Sequence, residues 1–156
     1  MRCASTAYWL AVFGGAGLSP HAPGTVGTLA SFVLWGPLLW LQLTPFLFTL
    51  IALLTTAVAI WASHKTAQQL GGGDPQQIVI DEVAGQGIAL IGCPPSIWAV
   101  VCCFALFRLF DAIKPWPICW LDRNMHGGLG IVLDDVAAGI CAAIVLQGLY
   151  WFGWFV

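Results

Sequence analysis

Residues 46–63 read FLFTLIALLTTAVAIWAS, an apolar run without a single charged side chain. This run belongs to a longer stretch, between Cys3 and His64, that contains no Asp, Glu, Lys or Arg. About 20 mainly apolar residues in a helix cross a hydrocarbon core about 30 Å thick, so residues 46–63 predict a membrane span. The stretches 83–107 and 136–156 are likewise free of charge and predict further spans.

The composition of the whole chain supports this interpretation. Of its 156 residues 60% are hydrophobic and only 8% are charged, and the mean hydropathy is +0.89. Soluble domains carry about 25% charged residues, and a chain of this size cannot hide so much apolar surface from water. No basic patch is present, so nucleic acid is excluded as a partner. The lipid bilayer is the partner that the composition indicates.

Proline and glycine clusters divide the apolar sequence into helices. The tips Thr44-Pro45 and Cys93-Pro94-Pro95-Ser96 suit helix ends, because proline lacks an N–H and restricts the residue before it. The predicted helices cover residues 29–43, 46–63, 82–92, 97–110 and 134–155. We therefore expect an all-α fold, a polytopic membrane helical bundle with four or five spans, which forms a single domain over residues 1–156.

The distribution of charge predicts the orientation of this bundle. If the N-terminus is cytoplasmic, both proline tips lie on the far side of the membrane and carry no charge. Basic residues then gather on the cytoplasmic face, in agreement with the positive-inside tendency. They are Arg2, Lys65, Lys114 and Arg123. The acidic residues fall on the same face, so we expect a charged site that faces the cytoplasm.

Seven of the twelve Asp, Glu, Lys and Arg residues lie within positions 107–135. Asp111 closes one predicted helix, Asp134-Asp135 opens another, and Asp81-Glu82 opens a third. Acidic groups at helix N-termini also interact favourably with the helix dipole, but Asp111 near a C-terminus does not fit that role. Five converging carboxylates repel one another unless a cation holds them, and Mg²⁺ prefers oxygen ligands. We expect the catalytic and metal-binding residues to be Asp81, Glu82, Asp111, Asp134 and Asp135.

Basic and polar residues near these acids suit a phosphate group. Arg108 precedes Asp111 by three residues, so both share one helical face. An arginine donates two parallel hydrogen bonds to phosphate, whereas a lysine acts as a point charge. The glycine-rich loop 14–28 adds further polar groups. The expected substrate-binding residues are Arg108, Lys114, Arg123, His126, His21 and Thr25.

Three blocks of the sequence resemble, in order, the motifs of the bacterial phosphatidylglycerophosphatase A family. They are GLSPHAPGTVGTLAS (17–31), IVIDEVAGQ (78–86) and FRLFDAIKPWPICWLDRNMHGGLGIVLDDVAAG (107–139). The family's acidic positions fall on the five carboxylates named above, and its basic positions fall on Arg108, Lys114 and Arg123. The resemblance extends over nearly the whole chain.

The resemblance implies a Mg²⁺-dependent phosphatase of the bacterial inner membrane. Such an enzyme hydrolyses the terminal phosphomonoester of phosphatidylglycerophosphate to phosphatidylglycerol and inorganic phosphate. A lipid substrate explains why the charges lie at the ends of the spans. Direct attack by water is the expected route, with an aspartyl-phosphate intermediate as the alternative. His126 is expected to protonate the leaving oxygen or to bind phosphate.

Two other functions are compatible with acids at helix ends. A transferase that uses CDP-activated lipid also gathers aspartates around Mg²⁺, but its usual spacing, DG-x₂-AR followed by G-x₃-D-x₃-D, is absent. A cation transporter or channel subunit also uses intramembrane acids. Its acids are expected near the middle of the membrane, whereas the predicted positions lie at the ends of the spans.

Overall fold

A computed structural model describes residues 5–155 of the chain. Every regular element in that range is helical and no strand occurs there, which confirms the all-α prediction for this part of the chain. In chain order the elements are α1 (Thr6–Ala11), a 3₁₀ helix (Phe13–Leu18), α2 (Pro23–Ala30), α3 (Phe32–Trp40), α4 (Pro45–Leu70), α5 (Ile80–Ala89), α6 (Ile97–Ile113), α7 (Ile118–Asn124) and α8 (Gly127–Trp151). Arg2, which the predicted orientation assigns to the cytoplasm, lies outside the described residues.

Two helices within residues 5–155, α4 and α8, are long and apolar enough to cross a membrane. They have 26 and 25 residues. At about 1.5 Å per residue each helix is about 38 Å long, which exceeds a hydrocarbon core of about 30 Å. The prediction of four or five spans goes beyond these two helices and stays a prediction.

The short helix α5 lies at the centre of the molecule. It has ten residues, of which nine are buried, and its length is about 15 Å. It packs against α8, α4, α2 and α6, with its largest interface on α8. In place of the predicted helix over 82–92, the structure has a helix that begins at Ile80, ends at Ala89 and is enclosed by its neighbours.

Two glycines allow α5 and α8 to approach each other closely. A Cβ atom on Gly139 would overlap the carbonyl oxygen of Gly85, and a Cβ on Gly85 would lie 2.7 Å from the carbonyl oxygen of Asp135. Gly139 also packs against Ile88. Later residues of α5 therefore contact later residues of α8, so the two helices run in the same direction. This register brings Asp81, one turn before Gly85, alongside Asp135.

The beginning of α8 differs from the predicted boundary. The helix starts at Gly127 instead of residue 134, so Asp134 and Asp135 lie about two turns inside it and do not open it. Gly128, in the added first turn, packs closely on α4, because a Cβ at this position would overlap the carbonyl oxygen of Ile60. The glycines at this point allow contact between helices and do not end the helix.

Other boundaries move for local reasons. Helix α4 continues to Leu70 instead of residue 63, because no helix-breaking residue occurs before Gly71, whose φ of 102° ends the helix. Helix α6 continues to Ile113, where Pro115 follows closely. The predicted helix over 29–43 is divided into α2 and α3, which meet at Ser31.

Trp35 fixes α3 to the central helix. Its side chain is fully buried, its Nε1–H donates to the carbonyl of Val83 at 2.9 Å, and its ring lies 5.5 Å from that of Phe48. A Cβ on Gly87 would overlap the indole ring. The core therefore lies around α5, with the hydrogen-bonding group of the tryptophan satisfied inside it.

Large apolar side chains cover much of the outer surface. On α4 and α8 the exposed ones are Phe46, Leu47, Leu50, Leu53, Leu54, Val58, Trp61, Leu70, Leu129, Ile140, Ile144, Val145, Tyr150 and Trp151. An exposed apolar surface of this kind marks a site of contact with a membrane or another protein. Together with the lengths of α4 and α8, it indicates membrane association.

Candidate active site

Five carboxylates from three helices form one cluster, which we call the acid cluster: Asp81, Glu82, Asp111, Asp134 and Asp135. One group within it consists of Asp81, Glu82 and Asp135, and a second consists of Asp111, Asp134 and Asp135. In each group one carboxylate oxygen from every residue lies within 4.8 Å of the others. Asp135 belongs to both groups and therefore stands at the centre of the cluster.

Each helix supplies its acids from a different position. Asp81 and Glu82 lie in the first turn of α5, where the helix dipole favours negative charge. Asp111 lies in the last turn of α6, where the dipole opposes it. Asp134 and Asp135 lie inside α8 and are only 6% and 4% exposed. The dipole alone therefore does not account for this arrangement.

Two basic side chains contact the acid cluster directly. The Nη1 atom of Arg108 lies 2.7 Å from Asp111 Oδ2, one helical turn away on α6. The Nζ atom of Lys114 lies 2.6 Å from Asp134 Oδ2 and 2.5 Å from Asp122 Oδ1 on α7. Two bases facing five carboxylates leave a surplus of negative charge, which is costly in a partly buried site.

Unpaired oxygen atoms in the cluster fit a bound cation. Among residues 5–155, Glu82 Oε2 and Asp134 Oδ1 are buried without a hydrogen-bond partner. A buried charged oxygen without a partner is unfavourable. Hard divalent cations such as Mg²⁺ bind carboxylate oxygens of this type. The donor atoms and their excess of negative charge therefore match the cation that the sequence predicts.

The first turn of α2 borders the acid cluster. A Cβ atom on Gly24 would overlap Glu82 Oε1 and would lie 3.4 Å from Arg108 Nη2. Thr25, a predicted substrate-binding residue, is the next residue in the chain after Gly24. Thr28, one turn further on, donates its hydroxyl to the Gly24 carbonyl at 2.9 Å and accepts from Arg108 Nη1 at 3.5 Å.

Lys114 is held at the end of α6 by its own backbone. It is the C-cap of the helix with a φ of 46°, and its N–H donates to the Phe110 carbonyl at 2.8 Å. Burial lowers the pKa of Lys114, but the carboxylates of Asp122 and Asp134 outweigh that effect and raise the pKa above its usual value. The two carboxylates therefore favour the positively charged form of the side chain beside the acid cluster.

The remaining predicted substrate-binding residues are more peripheral. His21 lies in the exposed loop before α2, Arg123 in the last turn of α7, and His126 at the N-cap of α8. All three are exposed and take part in none of the ion pairs that residues 5–155 form. Their roles stay predictions.

Two residues that touch the site were not predicted from the sequence. Asp122 pairs with Lys114, and Gly24 packs against Glu82. Asp122 lies in the charged stretch 107–135, so its charge and its position in the sequence could have indicated that it lies at the site. Nothing in the sequence alone brings Gly24 to Glu82, because that contact depends on how α2 docks on α5.

Comparisons with known proteins agree on one family. The family model described as phosphatidylglycerophosphatase A matches residues 9–150. The Escherichia coli K12 protein named phosphatidylglycerophosphatase A is 41% identical over 145 residues, which cover 91% of this chain and 83% of that protein. The Haemophilus influenzae protein of the same name is 40% identical over 144 residues, with 91% and 88% covered.

A third relative has a different name. A Bacteroides thetaiotaomicron protein, provisionally named phosphatidylinositol-3-phosphatase, is 39% identical over 143 residues, which cover 88% of this chain and 89% of that protein. No solved structure gives a significant match. The family model and the relatives together cover most of the chain, so the chain belongs to the phosphatidylglycerophosphatase A family and is an enzyme, a phosphoric monoester hydrolase.

Proposed function

We propose that this protein hydrolyses the terminal phosphomonoester of phosphatidylglycerophosphate at the acid cluster, in a reaction that depends on Mg²⁺. The observation that carries the proposal is the meeting of five carboxylates from three helices beside Arg108 and Lys114. The names of the Escherichia coli and Haemophilus influenzae relatives support this choice of substrate. The products are phosphatidylglycerol and inorganic phosphate.

The acid cluster is the proposed binding site for the cation. Asp135 would contribute to it together with Asp81 and Glu82 on one side and with Asp111 and Asp134 on the other. A Mg²⁺ ion held there would supply Lewis-acid chemistry, polarising the phosphoryl oxygens and making the attacking water more acidic. The unpaired oxygens of Glu82 and Asp134 support this assignment.

The protein's own residues bind and orient the phosphate. Arg108, fixed by Asp111 and Thr28, presents its guanidinium fork to the phosphoryl oxygens. Lys114 adds a positive charge that stabilises the charge which develops during the reaction. A water oxygen attacks phosphorus directly, and the bond from phosphorus to the glycerol oxygen breaks. A carboxylate of the cluster accepts the proton of the water, and His126 protonates the leaving oxygen.

The lipid nature of the substrate fits the proposed position in the membrane. We infer a multi-pass protein of the bacterial inner membrane, folded as one domain, with the acid cluster toward the cytoplasm. The apolar outer faces of α4 and α8 support insertion. Acyl chains then remain in the bilayer while the phosphate head reaches the charged face.

A phosphate-release assay tests the proposal. Purified protein in detergent is expected to release inorganic phosphate from phosphatidylglycerophosphate, to stop when EDTA is added, and to recover when Mg²⁺ is restored. A protein that is folded but releases no phosphate in the presence of Mg²⁺ contradicts the proposed reaction. Such a result would reopen the transferase and transporter hypotheses.

A phosphatidylinositol phosphate is the second candidate substrate. The name of the Bacteroides thetaiotaomicron relative favours it, and that protein is nearly as similar in sequence as the other two. Both substrates present a phosphomonoester on a lipid headgroup, so the same acid cluster and bases serve either one. Measuring kcat/KM for the two lipids in the same detergent decides between them.

A further inference from the structure

Lys114 links the acid cluster to α7 through two carboxylates of different character. Its Nζ atom lies 2.6 Å from Asp134, whose side chain is 8% exposed. The same atom lies 2.5 Å from Asp122, whose side chain is 43% exposed. One ammonium therefore has a buried partner inside the cluster and a solvent-facing partner outside it. We call these three residues the lysine bridge.

The buried end of the lysine bridge conflicts with a cation in the acid cluster. Asp134 belongs to the group with Asp111 and Asp135, and Lys114 already neutralises one of its oxygens. A divalent cation bound to Asp134 would experience repulsion from an ammonium on the same carboxylate, and this repulsion is strong in a partly buried site. The cation and the ammonium therefore compete for Asp134.

A phosphate group removes the conflict. Lysine carries its charge on a flexible stem of four carbons, whereas the Lys114 backbone is held at the end of α6. The side chain can therefore leave Asp134 without movement of the helix. A phosphomonoester offers the ammonium a new anionic partner at the same site. Asp122 remains as the partner that keeps the side chain close.

We propose that Asp122 is a positioning residue, which keeps Lys114 beside the acid cluster while its ammonium passes from Asp134 to the phosphoryl group of the substrate. Binding of the divalent cation and binding of phosphate then strengthen each other, because each favours the same displaced position of Lys114. The inference rests on the proposed function of the acid cluster as a cation site. It gives Asp122, an exposed residue outside the cluster, a role in the reaction.

Two substitutions distinguish a positioning role of Asp122 from a purely structural role. A solvent-exposed ion pair contributes little to stability, so Asp122→Asn is expected to fold normally. Its defect should appear in the coupling between the two ligands and in KM more than in kcat. Asp122→Glu keeps the carboxylate and should restore both properties, which a loss of folding or packing would not explain.

The test measures Mn²⁺ binding to the full-length protein in detergent, with and without inorganic phosphate. In the wild-type protein, phosphate is expected to tighten Mn²⁺ binding about tenfold. In Lys114→Gln, Mn²⁺ should bind more tightly than in wild type when phosphate is absent, and the tightening caused by phosphate should be smaller than in wild type. Asp122→Asn should reduce the effect of phosphate. The matched control is Lys65→Gln, a change of an exposed lysine on α4, which should behave as wild type.

The outcomes separate this inference from the proposed function. No binding of Mn²⁺ to the wild-type protein overturns both the cation site and the lysine exchange. Normal wild-type binding with unchanged coupling in Lys114→Gln overturns the exchange alone. Full coupling in Asp122→Asn, or equal loss in Asp122→Asn and Asp122→Glu, overturns the role of Asp122. Should Lys114→Gln fail to fold, the two Asp122 variants still decide the question.

Discussion

Gly85 of α5 lies so close to Asp135 of α8 that a Cβ atom at position 85 would stand 2.7 Å from the Asp135 carbonyl oxygen. This contact sets the register of the two helices that supply four of the five carboxylates. Both helices run in the same direction. The close approach at Gly85 therefore brings Asp81, which lies one turn before Gly85 on α5, alongside Asp135. The geometry of the acid cluster therefore depends on the absence of a side chain at one position.

Gly85→Ala is expected to separate α5 from α8 and to destabilise the protein. The new methyl group would meet the ring of Phe107 as well as the backbone of α8, and overpacking of this kind costs about 1–3 kcal/mol. Thermal unfolding in detergent should show a lower midpoint, and phosphate release should fall with it.

The matched control for this change is Gly148→Ala, also in a helix of the same bundle. A Cβ on Gly148 meets nothing within 4 Å, so alanine should leave the midpoint unchanged or raise it, by up to about 1 kcal/mol in stability. Equal midpoints for Gly85→Ala and Gly148→Ala would contradict the close contact.

Gly24→Ala is expected to lower activity without loss of stability. The added methyl group meets the carboxylate end of Glu82, a flexible side chain that moves aside easily. Moving it takes one carboxylate out of the acid cluster, so kcat should fall at least about tenfold while the unfolding midpoint stays the same. Gly36→Ala, where a Cβ meets nothing within 4 Å, is the control and should retain full activity.

Asp134→Asn and Glu82→Gln are expected to abolish phosphate release in folded protein. Each change keeps the size of the side chain and removes the negative charge that a cation requires, so the loss should exceed about a hundredfold. Gel filtration in detergent checks that the variants remain folded. Lys65→Ala is the control on the exposed surface of α4. Activity within a few-fold of wild type in Asp134→Asn would remove that residue from the site.

An epitope tag tests the orientation of the bundle. A tag inserted in the loop at residues 41–44, before α4, is expected outside the cytoplasm, because this loop lies at the uncharged end of the helix. A tag inserted at residues 71–74, after the same helix, is expected inside. Antibody accessibility in intact and permeabilised cells gives both answers. A cytoplasmic tag at 41–44 reverses the proposed orientation.

The sequence alone predicted the parts of the structure that depend on composition and on helix ends. The charge-free run around residues 46–63 predicted the helix that became α4, and the Thr44-Pro45 tip is where it begins. The acidic start of α5 and the position of Asp111 near the end of α6 were also predicted correctly. These features follow from local rules of helix formation.

Features that depend on helix packing were not predictable in the same way. The last helix was predicted to begin at residue 134, whereas in the structure it begins at Gly127 and its first glycines pack on α4. Asp134 therefore lies inside the helix and not at its start. The contact of Gly24 with Glu82 depends on how α2 docks against α5. Such contacts arise between segments far apart in sequence, and no local pattern specifies them.

A crystal structure of the protein with Mn²⁺, with the ion located by anomalous scattering, tests most directly whether the acid cluster binds a cation. The expected result is an anomalous peak within coordination distance of an Asp135 carboxylate oxygen, next to at least one of the two groups that share this residue. A clear Mn²⁺ peak elsewhere in the protein, with none beside Asp135, would contradict a cation site in the acid cluster.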